Sequence, residues 1–339
     1  MSNGPLPWQG ELWRGLQERA RQHNLPHALL FTGMAGVGKV ALARQFAHSL
    51  LCEHPDATGL ACGHCQACGL LAAGTHPDLA MVEPEEEGKA IPIDRIREVG
   101  TFLGLKAQYG GLQVVVIHPA EAMNRFAANS LLKTLEEPTP ETLLILVSDQ
   151  PSRLLPTIRS RCQQLSFPRP ATDLAEAWLR EQMGETVDVA VLLALADGAP
   201  LAALRLHQEG GLEARQRLAQ QWLELATGQG DPLKLAKAWQ DWGLRRALQW
   251  LTSWTTDLVR LKSGGRPDVI SNKDLGPQLQ MLAERLDLKP LFGYLDQLSE
   301  YNRWAGGQLN AQLVLEDLMI QWRRGPARPV KSSGSRHTT

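Results

Sequence analysis

No run of apolar residues in this 339-residue chain approaches the ~20 that a membrane-spanning helix needs. Charge of one sign is not in excess either. Thirty-five Lys and Arg face 36 Asp and Glu, for a formal net charge of -1. No whole-molecule field therefore draws the chain to nucleic acid or to an anionic membrane, and any such contact has to be local. Cysteine is scarce, with five residues in all. An odd number without an export signal argues against a disulfide framework. The first residues, MSNGPLPWQGELWRG, have neither the basic start nor the apolar centre of a signal peptide. The expectation is a cytoplasmic chain with no membrane partner. Its 43% hydrophobic and 21% charged residues are those of an ordinary globular protein, long enough for two or three domains.

What is present begins with HALLFTG (27–33), a short apolar run that ends in glycine. KVALARQFAHSLLC follows it with helical periodicity. Between the two, Gly33, Gly38 and Lys39 stand at the spacing of a phosphate-binding loop, G-x-x-x-x-G-K-S/T, with Gly36 as a further glycine inside it. In such a loop backbone N–H groups cradle phosphates, the lysine reaches the outer ones and the hydroxyl holds Mg²⁺. Here Val40 takes the place of the hydroxyl. A hydrolysing site also needs acids at the tip of a neighbouring buried strand. The candidate strand, LQVVVIH (112–118), is followed by His118 and Pro119, and Glu121 beyond the proline is a poor substitute. The chain is not expected to hydrolyse nucleotide. The loop is read either as a weak binder or as an empty relic of the fold.

DLAMVEP (78–84), TLLILVSD (142–149) and CQQLSF (162–167) read as further strands. IPIDRIREVGTFLGLKAQ and AANSLLKTLEEP read as helices, the first with Ile93, Ile96, Val99 and Leu103 on one face. Strands alternating with helices predict an open, mostly parallel sheet covered on both faces. PRPAT (168–172) reads as a linker, and beyond it only helical periodicity remains. Seven of the ten tryptophans fall between 212 and 323, a pattern of core or subunit interface. The tail RRGPARPVKSSGSRHTT is basic, small and polar and is expected to be disordered.

Four of the five cysteines, Cys52, Cys62, Cys65 and Cys68, are spaced C-x9-C-x2-C-x2-C. Each C-x2-C turn can aim two thiolates at one ion, and four thiolates close a tetrahedral shell, so the expectation is one structural zinc. Buried free thiols are the plainer alternative. An iron–sulfur cluster fits less well, because the further cysteine and proline of the ferredoxin run are missing. His54, His64 and His76 lie near enough in sequence to substitute. Cys162 is expected in the core.

HALLFTGMAGVGK, CGHCQAC, AGTHPD, NSLLKTLEEP and LLPTIRSRC together resemble the AAA+ clamp-loader family of bacterial DNA polymerase III. The likeness is dense from about residue 5 to 168 and then fades to a shared helical character. It implies an α/β fold: an AAA+ P-loop domain over 1–168, a parallel sheet with helices on both faces carrying the inserted four-cysteine module (52–68). A small helical lid (169–208), an all-α C-terminal collar domain (209–325) and a disordered tail (326–339) would follow. It implies a non-hydrolysing member, because the ATPase siblings carry acids where His118 and Pro119 stand. In the family a second-domain arginine senses nucleotide, and the resemblance puts Leu201 of DGAPLAALRL at its place. The resemblance also implies partners: clamp-loader ATPase subunits and a delta subunit in a five-membered ring, with the sliding clamp and primer–template DNA met through the complex. Arg161 of the S-R-C motif would reach a neighbour's nucleotide as an arginine finger, with Ser160 and Cys162 positioning the turn.

Two other readings compete with this one. A free-standing P-loop ATPase would need acids at 118–119 and a hydroxyl at 40. A zinc-module nucleic-acid binder would need basic or aromatic residues around the cysteines, and CEHPDATGLACGHCQACGLLAAG contains no Lys or Arg.

Overall fold

The computed structural model describes residues 4–86, 88–109, 111–184, 186–266, 269–304 and 309–325, so the expected disordered tail lies outside the described residues. The chain divides into two compact units, Met1–Arg205 and Leu206–Thr339.

In the first unit, five strands form one parallel sheet in the order β2-β3-β4-β1-β5. They are β1 (Ala28–Thr32), β2 (Leu79–Val82), β3 (Gln113–Ile117), β4 (Thr142–Ser148) and β5 (Gln163–Ser166). The three central strands β3, β4 and β1 are buried at every residue, as continuous apolar runs covered on both faces must be. β5 is the polar edge, with Gln163, Gln164 and Ser166 exposed.

Alternation along the strands divides the side chains between two cores. Leu29, Phe31, Val114, Val116, Leu143, Ile145 and Val147 face one side. There they meet Trp13 and Leu16 of α1 (Gly10–Arg21) and Leu42 and Phe46 of α2 (Lys39–Leu51). Leu30, Val115, Ile117, Leu144 and Leu146 face the other side. Against them pack Ile96, Val99 and Leu103 of α4 (Ile93–Leu103) and Leu131 and Leu135 of α5 (Arg125–Glu136). Ile158 of α6 (Pro156–Arg161) and Cys162 complete that core. The short α3 (Gln66–Ala72) lies in the cysteine segment between α2 and β2. The AGTHPD segment enters β2 through Asp78, whose buried carboxylate accepts the N–H groups of Gln108 and Tyr109 at 2.8 and 3.0 Å. Helices α7 (Thr172–Met183), α8 (Val189–Leu195) and α9 (Pro200–Gln208) follow β5, and α9 runs past the unit boundary.

The second unit is helical: α10 (Gly211–Ala226), α11 (Pro232–Gln240), α12 (Leu244–Lys262), α13 (Gly276–Arg285), α14 (Leu288–Trp304) and α15 (Ala311–Arg324). Most of its tryptophans are core. Trp222, Trp239, Trp250, Trp254 and Trp322 are buried, and Trp222 stacks on Trp322 with ring centroids 4.0 Å apart. Trp304 is exposed. Of the two uses expected for these rings, core or interface, five of the seven take the first. Beside them lies a buried polar cluster. Arg215 donates to Asp274 at 2.5 Å and lies 5.7 Å from the Trp254 ring centre. Asp257, fully buried, accepts the N–H groups of Ser271 and Asn272 at 3.1 and 2.8 Å and the Asn272 side-chain amide at 2.6 Å. These bonds tie the segment before α13 to α12.

Removing one partner of such a cluster strands the others without water. Asp257→Ala is expected to lower unfolding stability by about 2–4 kcal/mol in a urea titration. A loss within the error of that titration would show that the 271–272 segment is held by packing alone.

Candidate functional site

The turn after β1 has the geometry that its glycines foretold, and its own chain packs closely against it, leaving Ala35 exposed. Gly36 has φ 82°, and a Cβ there would lie 2.6 Å from Ala202 Cβ. Gly38 has φ 90°, and a Cβ there would lie 2.5 Å from Leu6 Cδ1 and 2.6 Å from Gln9 Nε2. Gly33 abuts the Phe167 carbonyl. Only residues without side chains fit such close approaches.

Hydrogen bonds then fix the loop's carbonyls. Gln9, fully buried, donates from Nε2 to Val37 O and Gly38 O at 3.1 and 3.0 Å, while its Oε1 accepts Leu6 N–H. Trp8 Nε1 donates to Val37 O at 3.0 Å, and its ring meets Trp178 of α7 edge-on at 5.4 Å. From the other side Leu201 N–H donates to Gly36 O at 3.0 Å. Leu201, expected at the place of a nucleotide-sensing arginine, thus presents backbone to the loop.

Lys39 is the centre of the arrangement. Its side chain is 2% exposed, and its ammonium lies 2.7 Å from Gly33 O, 2.6 Å from Met34 O and 2.6 Å from Asp149 Oδ1. An ammonium has three N–H donors, and here three acceptors of the same chain surround it. Val40 packs partly buried against the core. At the tip of β3 the His118 N–H donates to Val82 O, and burial pushes the imidazole pKa below its ordinary value, outweighing the upward pull of Asp149. Glu121, read from the sequence as a poor substitute for the missing acids, has another contact here. Its Oε1 accepts the N–H groups of Asp149 and Gln150 at 2.9 and 3.0 Å and so caps the turn after β4.

The cysteine cluster begins where α2 ends. Cys52 closes α2, and Cys65 sits at the N-terminus of α3, its sulfur accepting Cys68 N–H at 3.4 Å. Cys62 N–H reaches the Cys52 sulfur at 3.2 Å, and Cys65 N–H reaches that of Cys62 at 3.4 Å. The four Sγ atoms lie within 4.8 Å of one another, with pairs at 3.6, 3.9 and 3.9 Å. Four sulfurs bound at 2.3 Å to one tetrahedral ion would be about 3.8 Å apart, so the cluster fits such an ion. The Cys68 N–H holds the Cys65 thiol down at about 6, while burial pushes Cys68 up to about 12. His64 turns its Nδ1 to the Cys62 carbonyl, and His76 Nδ1 accepts Asp78 N–H, so neither joins the sulfurs.

Arg161 ends α6. It is 36% exposed, with Nη2 2.7 Å from Glu136 Oε1 and Nη1 donating to Thr157 O at 3.1 Å. Ser160 donates to the same carbonyl at 3.1 Å, and Cys162 is buried behind the turn. The expected residues thus form three separate places, namely the loop, the sulfur cluster and the arginine turn. Sequence reading missed Asp149, Gln9 and Trp8 at the loop and Glu136 at the arginine. Asp149, Gln9 and Trp8 lie outside the motifs singled out in the sequence, and Glu136 lies in NSLLKTLEEP, which had no role of its own. Asp149 alone carried a signal, as an acid at the end of a buried strand beside the loop.

Two family models match the chain. The one described as DNA polymerase III, delta subunit, covers residues 8–171, and the one described as DNA polymerase III, delta subunit, C terminal, covers residues 209–324. The chain is 41% identical to the DNA polymerase III subunit delta' of Pseudomonas aeruginosa over 324 residues, 94% of this chain and 98% of that one. It is 34% identical to the protein of the same name in Escherichia coli, over 87% and 88% of the two chains. Among solved structures, a DNA polymerase III gamma subunit-related protein of Thermotoga maritima aligns with a TM-score of 0.47 at 20% identity, over 92% of this chain and 99% of that one. Two family models in tandem and relatives matched over nearly their whole length place this chain in the DNA polymerase III delta-prime subunit family, among the AAA+ clamp-loader proteins.

Proposed function

We propose that this chain is a non-hydrolysing clamp-loader subunit that acts on a neighbouring subunit's nucleotide and not on one of its own. In this reading it sits in a five-membered ring with ATPase subunits and a delta subunit. Through that complex it meets the sliding clamp and primer–template DNA, as part of a DNA polymerase holoenzyme. The helices 169–208 serve as a lid and 209–325 as a collar that joins the ring.

One observation carries the reading. Lys39, the residue that would reach a nucleotide's outer phosphates, has its three donors directed at Gly33 O, Met34 O and Asp149. Binding phosphate would break the ion pair of a buried lysine and free two carbonyls, with neither a hydroxyl at 40 nor acids at 118–119 to hold the metal in return. The half-exposed Arg161 keeps its planar fork of donors near solvent, where an adjoining subunit's γ-phosphate could meet it. The four sulfurs are read as the ligands of one zinc, which would close the shell and serve structure only.

Zinc analysis of protein purified without added metal should give close to one equivalent per chain, falling in Cys65→Ser. Chelation should lower the melting temperature, because a structural ion contributes folding energy. A metal-free preparation with unchanged melting would remove zinc from the account.

The isolated chain should show no ATPase activity, and Val40→Thr should not create any, since the strand-tip acids are still missing. Turnover that copurifies with the chain and disappears in Lys39→Ala would contradict this.

Arg161→Ala should leave the chain folded and the ring assembled, yet lower DNA- and clamp-stimulated ATP hydrolysis by the complex. A trans arginine is worth about 10³–10⁵ in rate at its own site, diluted in the ring by sites that keep theirs. Arg161→Lys should fail too, since a point charge lacks the fork, while Arg159→Ala should do less. An assembled Arg161→Ala ring with wild-type hydrolysis would return Arg161 to a surface ion pair.

A further inference from the structure

NSLLKTLEEP stands out in the sequence but has no role in the site as described so far. The structure gives it one contact of consequence. α5 is seated by Ala127, Ala128, Leu131 and Leu135, all buried against the sheet. That register leaves Glu136, the last residue of the helix, pointing at α6. Its Oε1 lies 2.7 Å from Arg161 Nη2. The two motifs, 25 residues apart in sequence by their numbers, meet at this ion pair.

Glu136 is badly placed for the stability of its own helix. The C-terminal end of a helix carries partial negative charge and favours cations, and Glu137 adds a second carboxylate beside it. Nor does the ion pair contribute much to folding, because the two side chains are 36% and 50% exposed and water screens them. What the pair does is geometric. Arg161 is held at Nη2 by Glu136 and at Nη1 by Thr157 O at 3.1 Å. Two acceptors on two different elements fix the direction of a planar guanidinium more firmly than one. The turn that bears it is itself pinned by buried Ile158 and Cys162. Arg159, on the same short helix, makes no ion pair among the described residues.

We infer that Glu136 is a positioning residue for Arg161, aiming its guanidinium toward the nucleotide of the adjoining subunit. The inference rests on the trans-acting role proposed above. Glu136 does not touch that nucleotide. It presents the arginine in one orientation before the neighbour's phosphate is met, so less rotamer freedom is lost when the contact forms.

The test is a double-mutant cycle in the assembled complex, with stimulated ATP hydrolysis read as kcat and KM. Glu136→Ala should lower kcat by about two- to fivefold at most, less than Arg161→Ala does, with KM unchanged. Glu136→Gln, which keeps an acceptor oxygen at the same reach, should recover part of the loss. In the Arg161→Ala background Glu136→Ala should have no further effect, because a residue that acts through Arg161 has nothing left to act on. Additive losses in the double variant would overturn the inference, as would a Glu136→Ala complex that hydrolyses at or above the wild-type rate. If Arg161→Ala itself changes nothing, the trans-acting reading has failed. If Arg161→Ala is defective while Glu136→Ala is normal, only the positioning role is lost.

Discussion

The ammonium of Lys39 and its three acceptors are the constraint around which the first unit is arranged. A buried cation has to be paired and hydrogen-bonded, and here Gly33 O, Met34 O and Asp149 do both. Asp149 in turn is set by Glu121, which holds the N–H groups of 149 and 150. Gly33 and Gly36 are pressed by Phe167 and by the start of α9, and Gly38 by Leu6 and Gln9. The loop is also a packing element. It joins the N-terminal segment, the sheet and the helices after β5 through its own backbone.

The same helix connects this loop to the second chemical feature of the unit. α2 begins at Lys39 and ends at Leu51, with Cys52 as its cap. Its buried face, with Leu42, Ala43, Phe46 and Ala47, holds it rigidly to the sheet. The four sulfurs therefore hang on an element whose other end is locked. The second unit has a core of its own, with five buried tryptophans and a polar cluster that runs from Arg215 through Asn272 to Asp257.

Much of this was legible in the residues. The central strands announce themselves as β-branched runs, because strands buried on both faces need no alternation. The cysteine spacing converges on one point, because C-x2-C turns have little freedom. That Val40, His118 and Pro119 stand where a hydroxyl and two acids are expected is read from the sequence and needs no coordinates. What escaped was every contact between distant segments. Gln9 reaches Val37 and Gly38 across 28 and 29 residues, and nothing in its neighbourhood marks it as a strap. Asp149 and Glu136 sit at element ends, where polar residues are commonplace. The tryptophan clustering was plain, yet periodicity alone cannot tell a ring turned inward from one turned toward a partner.

The central claim is that the chain's own loop is shut, so that its influence on nucleotide is exerted at another subunit's site. Equilibrium titration of the isolated chain with Mg–ATP, followed by calorimetry up to millimolar nucleotide, addresses this most directly. The account predicts no saturable binding, and the same flat trace for Lys39→Ala. A saturable site of one nucleotide per chain that disappears in Lys39→Ala would contradict it.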